Sequence, residues 1–117
     1  MKRGVILREG RTIVPQAWYA DRPWNRLRGL LARAPLRSDA LQALWLVPCP
    51  SVHTFGMGYP LDIVFLGRDG RVLACHEDVP PWRMRWCRGA RQTVELAPGG
   101  IATLAPVRGE EWSWQES

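Results

Sequence analysis

The sequence predicts a mainly β fold: a single-domain β-sandwich, jelly-roll-like unit or small barrel with one N-terminal helix packed against it, spanning residues 1–117. Three observations predict it. Short apolar or alternating runs separated by glycine- and proline-bearing turns recur through most of the chain, which is the signature of many short strands. Helical periodicity is confined to one early stretch. A chain of 117 residues can bury roughly 65% of its unfolded surface, and seven tryptophans, each worth about 150 to 250 Å² of buried ring, supply core mass without staples.

In order along the chain, residues 5–8 and 12–14 flank Glu9-Gly10-Arg11 and read as a hairpin with glycine at its tip. Asp21-Arg22-Pro23-Trp24 reads as a helix start, with Asp21 as N-cap and Pro23 in the first turn, where its missing N–H costs nothing. That helix runs to about residue 33. It places Trp24, Leu27, Leu30 and Leu31 on one face, and Gly29 costs about 1 kcal/mol there relative to alanine. Ala34-Pro35 ends it.

From there strands are expected over 41–47, 61–66, 71–76, 82–87, 93–96, 101–104 and 112–114, with turns at Gly67-Arg68-Asp69-Gly70 and Pro98-Gly99-Gly100. In the second of these, Leu61, Ile63 and Phe65 share one face, while Asp62 shares the other with Val64 and Leu66. Both faces are apolar, so this strand belongs in the middle of a sheet. A carboxylate there needs partners, either as a clamp on backbone N–H groups, the reading favoured by its strand position, or as a functional acid. Glu95, between Thr93 and Ala97 on one face, is expected to balance an arginine such as Arg26 or Arg28. Trp112 and Trp114 alternate with Glu111 and Ser113 as in a closing strand.

The charge is +5, from 16 basic and 11 acidic residues, and Lys2 is the single lysine. Arginine favours bidentate contact with carboxylate or phosphate, although a GC-rich genome also produces the bias. The apolar run near the N-terminus is too short for a secretory segment and no stretch is long enough to span a membrane. With an odd number of cysteines, three, this places the chain in the cytoplasm with reduced thiols and no membrane partner.

Met57, the run Pro60-Leu61-Asp62-Ile63-Val64-Phe65-Leu66, the Asp69-Gly70 turn and Val94-Glu95-Leu96-Ala97-Pro98-Gly99-Gly100 closely resemble an uncharacterised prokaryotic family, domain of unknown function 192. Arg26, Gly29-Leu30-Leu31 and Arg33 extend the similarity, which covers roughly residues 20–112. The resemblance implies a β-rich domain of sandwich or jelly-roll type with no established activity and no known cofactor. The chain departs from the family pattern at Thr54-Phe55-Gly56, at the residues after Met57, and at Glu110, where the family usually has Asp after the glycine.

Three function classes follow. The first is a non-enzymatic β-domain that binds a small molecule or protein, with no cofactor. Ser51, His53 and Thr54 would supply hydrogen bonds, Met57 and Tyr59 apolar contact, and Arg83, Arg85 and Arg88 charge. The second is a Cys/His-dependent hydrolase in which His53 activates Cys49 or Cys75 and Asp62 orients the imidazole. It lacks a glycine-flanked nucleophile elbow. The third is binding of nucleic acid or an anionic ligand by the arginine-rich run 80–91. It ranks below the first, because Trp82, Met84 and Trp86 facing the core with Arg83 and Arg85 in water is ordinary strand geometry. The Cys and His spacings match no structural zinc pattern, so no metal is expected.

Overall fold

A computed structural model describes residues 2–20, 36, 41–48, 51–54 and 58–117, without the side chain of His53. The expected helix over 21–33, with Gly29 and the Arg26 and Arg28 partners proposed for Glu95, lies outside the described residues, as do Cys49 and Met57. The elements are β1 (Lys2–Arg8), β2 (Arg11–Ala20), β3 (Gln42–Leu46), β4 (Ser51–His53), β5 (Leu61–Leu66), β6 (Val72–Val79), β7 (Met84–Trp86), β8 (Gln92–Leu96), helix α1 (Gly100–Leu104) and β9 (Trp112–Glu116).

Seven strands form one mixed sheet in the order β6-β5-β8-β3-β2-β1-β9, and β4 pairs with β7 in a separate two-stranded ribbon. The pairing of β2 with β3 is parallel; the other pairs are antiparallel. Two turns anticipated from glycine form as expected. Glu9 and Gly10, both at positive φ, close the β1–β2 hairpin, and Gly70 donates to the Gly67 carbonyl at 3.0 Å in the β5–β6 turn.

The sheet is open, not the closed barrel entertained from sequence, and the sandwich reading receives no support from its topology. Its two ends nevertheless touch at one corner. Arg71 and Glu111 form an isolated antiparallel bridge, Val72 N–H donates to the Glu110 carbonyl at 2.9 Å, and Trp112 N–H donates to the Gly70 carbonyl at 2.9 Å. Gly70 is required there: its φ is +85° and a Cβ would lie 2.4 Å from the Trp112 carbonyl oxygen.

Both faces of the central strands are buried. On one face, Ala43, Trp45, Val64, Leu66, Val94 and Leu96 pack with Ile6, Trp112 and the α1 residues Ile101 and Leu104. On the other, Leu44, Leu46, Ile63 and Phe65 pack beneath Leu36 and the ribbon residue Val52, with Ala90 beside them. All six residues of β5 are buried, as expected for a central strand.

One element changes type. Residues 101–104, expected as a strand, form part of α1. The run Ile101-Ala102-Thr103-Leu104 is too short for periodicity to decide, and its apolar residues are three apart, as a helix face allows. A tertiary contact selects the helix. Gly99, its N-cap, has no side chain to cap with, and Asp62 on β5 supplies the missing acceptor, taking N–H bonds from Gly99 at 3.1 Å and Ile101 at 2.9 Å on Oδ2. At the other end Arg8 donates to the Leu104 carbonyl and pairs with Glu110 at 3.2 Å. Among the described residues no helix is long and apolar enough to cross a membrane.

Candidate functional site

The ribbon holds Ser51, His53 and Arg85 of the sequence-derived binding residues, with Thr54 and Arg83 adjoining it, and its register decides what they can do. Ser51 stands opposite Trp86, Val52 opposite Arg85 and His53 opposite Met84. Opposed residues share a face of the pleat. Val52 is buried and Arg85 half-buried, so that pair faces the sheet. Ser51, Met84 and Trp86 are exposed on the other side.

This reverses the inward phase expected for residues 82–86. Trp82 is 64% exposed, Met84 50% and Trp86 71%. Two features set the phase. Thr54, 1% exposed, accepts from Arg83 N–H at 2.9 Å and donates to the Pro80 carbonyl at 2.6 Å. Its own N–H donates to the Arg83 carbonyl at 2.8 Å. Cys87 and Ala90, just beyond β7, join the core. Cys87 shares phase with Arg85, so the inward signal lay in small apolar residues after the run rather than in its tryptophans.

Arginines alternate with and follow these residues in sequence. Arg83, Arg88 and Arg91 are exposed, and Arg85 packs inward, near enough to His76 that burial, followed by the Arg85 charge, holds the imidazole below its ordinary pKa. The Arg85 guanidinium donates to the Met84 carbonyl at 2.8 Å, and that of Arg83 to the Trp82 carbonyl at 3.3 Å. Such bonds occupy acceptors that a neighbouring strand would otherwise use.

The other expected site residues are placed as follows. The Thr54 hydroxyl is already engaged within the fold. Tyr59 is half-buried against the ribbon-side core. Asp62 is 1% exposed, and with Asp78 N–H donating to Oδ1 at 2.8 Å its carboxylate accepts three backbone hydrogen bonds. This is the geometry of the backbone clamp.

Cys75 and His76 are successive residues of β6, opposite Val64 and Ile63, so their side chains leave on opposite faces. His76 meets Phe65 edge-on at 5.6 Å. Cys75 is exposed as a residue, but partial burial of its thiol, then Glu110, Glu77 and Asp62, push its pKa up to about 11. That thiol is protonated at neutral pH, the reverse of an activated nucleophile. Among the described residues no three of His, Cys, Asp and Glu gather in a metal-binding group.

Sequence reasoning missed two things here: strand β4, whose three residues are too few to show a period, and the outward tryptophans.

The chain is similar in fold to two bacterial proteins of known structure. One, from Sinorhizobium meliloti, is described as a putative transcription regulator. It superposes with a TM-score of 0.77 at 22% identity, covering 97% of this chain and 92% of its own. The other, of unknown function, is from Novosphingobium aromaticivorans, with a TM-score of 0.78 at 20% identity, covering 96% of this chain and 84% of its own. At these identities the likeness concerns the fold alone. No functionally curated protein matches the chain. The model of the DUF192 family, described as an uncharacterised ACR, matches residues 5–114, and the chain belongs to that family.

Proposed function

We propose that this chain is a non-enzymatic binding module, acting as a single domain, whose contact surface is the outer face of the β4–β7 ribbon and whose partner is an acidic polypeptide surface. The observation that carries the reading is the exposure of Trp82, Met84 and Trp86 within one short run that also exposes Arg83 and Arg88. Tryptophan and arginine are the residue types that dominate the energetics of protein interfaces, and a cluster of large apolar side chains in water is otherwise costly. Ser51 adds a hydroxyl to the same face. The exposed arginines give charge complementarity to carboxylates.

A cytoplasmic setting suits the free thiols of Cys75 and Cys87. Single-stranded nucleic acid is a second reading, favoured by the same alternation of tryptophan and arginine, since bases stack on indole faces.

The test is site-specific photocrosslinking in cells of the source organism, with p-benzoylphenylalanine replacing Trp86 and, as control, Val107. The expected result is a discrete adduct at position 86 whose partner peptide is acidic, absent at 107 and abolished by Arg83→Glu with Arg88→Glu. A nuclease-sensitive adduct would support the nucleic-acid reading, and no adduct at 86 would refute both.

A further inference from the structure

Strand β9 lies at one edge of the seven-stranded sheet, with β1 on its inner side. Its register with β1 is unbroken from Arg8 opposite Trp112 to Gly4 opposite Glu116. Just outside that span, Glu9 N–H donates to the Glu111 carbonyl at 3.0 Å and Ser117 N–H to the Arg3 carbonyl at 3.2 Å. Backbone groups alternate in direction along an antiparallel strand, so the odd-numbered residues of 111–117 aim theirs at β1, and Trp112, Trp114 and Glu116 aim theirs away from it. Trp112 uses the outward direction: its N–H meets the Gly70 carbonyl at 2.9 Å, next to the antiparallel Arg71–Glu111 bridge. That outer ladder stops there, because the chain before Gly70 reverses in the β5–β6 turn, where Gly70 N–H donates to the Gly67 carbonyl. Among the described residues no strand pairs with the outward groups of Trp114 and Glu116.

Beside these groups is a cleft of about 390 Å³, lined by Trp114 of β9, by the turn residues Asp69 and Gly70, and by Tyr19, Trp45 and Trp112. Polar groups of this lining are committed to the protein. The indole N–H of Trp45 donates to Gln92 Oε1 at 2.9 Å, that of Trp112 to Glu110 Oε1 at 3.0 Å and that of Trp114 to the Ala17 carbonyl at 3.0 Å. Asp69 accepts from Arg71 N–H at 3.1 Å and pairs with the Arg71 guanidinium at 3.6 Å. The Lys2 ammonium already lies 5.4 Å from the centre of the Tyr19 ring. A polar side chain entering the cleft finds these groups taken, whereas the rings offer contact to an apolar one.

Free edges of natural sheets are blunted by proline, lysine or a bulge. Strand β9 contains none of these, whereas in the ribbon run the Arg83 and Arg85 guanidinium groups cover the Trp82 and Met84 carbonyls. Outward N–H and C=O groups two residues apart, with a side-chain cleft beside them, meet the needs of strand addition: main-chain bonds supply affinity, and the cleft selects alternate side chains. We infer that the outer edge of β9 takes an extended peptide, antiparallel, that continues the Gly70–Trp112 ladder and places a large apolar residue opposite Trp114. Opposed residues share a face of the pleat, so that side chain enters the cleft. The peptide exchanges a pair of N–H···O bonds with Trp114 and another with Glu116. The proposal is independent of the ribbon.

The test is a titration of the intact, isotope-labelled chain with the peptide acetyl-Thr-Thr-Phe-Thr-Thr-amide, read by NMR of assigned backbone amides. The expected dissociation constant is of the order of 0.1 to 1 mM for so short a ligand. Shifts and slowed hydrogen exchange should fall on Trp114 and Glu116 and spare Trp82 and Trp86. N-methylation of the peptide's Phe removes the N–H that meets the Trp114 carbonyl, and Asn in its place removes the apolar contact; each should weaken binding about tenfold. Glu116→Pro removes an outward N–H that the β1 ladder does not use, and should weaken binding about three- to tenfold. Its spectrum without peptide, unshifted beyond the neighbouring residues, establishes that it folds. Equal affinity for the N-methylated or Asn peptide, unchanged affinity in Glu116→Pro, shifts confined to Trp82 and Trp86, or no response at millimolar peptide would each overturn it. So would shifts of Trp114 and Glu116 with protein concentration alone, which would assign the edge to a second copy of the chain.

Discussion

Asp62 ties its own strand β5 to two other segments through one carboxylate: the end of β6 through Asp78 N–H, and the α1 entry through Gly99 and Ile101 N–H. Hydrogen bonds to an ionised group are worth about 1.5 to 3 kcal/mol each, and removing the acceptor leaves buried donors unpaired. Asp62→Ala should therefore lower unfolding free energy by at least about 3 kcal/mol in urea denaturation, and Asp62→Asn by less. Glu95 is a buried carboxyl of a different kind. Desolvation raises its pKa from 4.5 to about 7. The folded state thus holds the proton more tightly than the unfolded chain, so this contribution to stability is complete below about pH 4.5 and is lost as pH rises through about 7. Its full extent is about 3 kcal/mol. Glu95→Gln should flatten the pH dependence of the urea midpoint between those limits, and a wild-type profile rising across that range would contradict the burial argument. Cys75, with its pKa raised to about 11, should alkylate slowly at pH 8 with iodoacetamide despite its exposure. A Cys87→Ala, Cys49→Ala background isolates its rate.

At the scale of elements, the ribbon and α1 show how tertiary contacts overrule local pattern. In β7 the alternation of large apolar residues with arginine is amphipathic in either phase, because arginine's methylene stem can cover apolar surface as its head reaches water. Val52 opposite Arg85, together with the Thr54 bonds, fixes the phase that leaves the tryptophans outside. Trp82→Ser with Trp86→Ser should accordingly change stability by no more than about 0.5 kcal/mol, whereas Trp112→Ala, in the core, should cost about 3 to 5 kcal/mol. Thermal melts of the two variants decide this. In α1 the apolar tetrad is compatible with strand or helix, and its ends are held by Asp62 and Arg8, distant in sequence.

For the whole molecule, both faces of the central strands are buried, with α1 in the core on one side and the ribbon residue Val52 with Leu36 in the core on the other. The sheet's ends meet at the Gly70 corner, where Gly70→Ala would combine an unfavourable positive φ with a contact of 2.4 Å to the Trp112 carbonyl. A loss of about 2 to 4 kcal/mol is expected, measured by urea denaturation. Joining the ends there places the cleft beside the corner and leaves the ribbon's outer face in water.

The sequence by itself determined the β-rich class, the two glycine turns, the central position of β5 and the need for Asp62 to have partners. Each follows from period-two patterning, positive φ or the cost of an unpaired buried carboxylate, all of which act locally. It also carried the family, through motifs concentrated on β5 and the α1 entry. Tertiary structure alone decided the strand order, the helical state of residues 100–104, the outward phase of Trp82, Met84 and Trp86, and the gathering of four aromatic rings around one cleft. These depend on which distant backbone groups and apolar faces meet, and an amphipathic run reads the same in sequence whichever of its faces a neighbour covers.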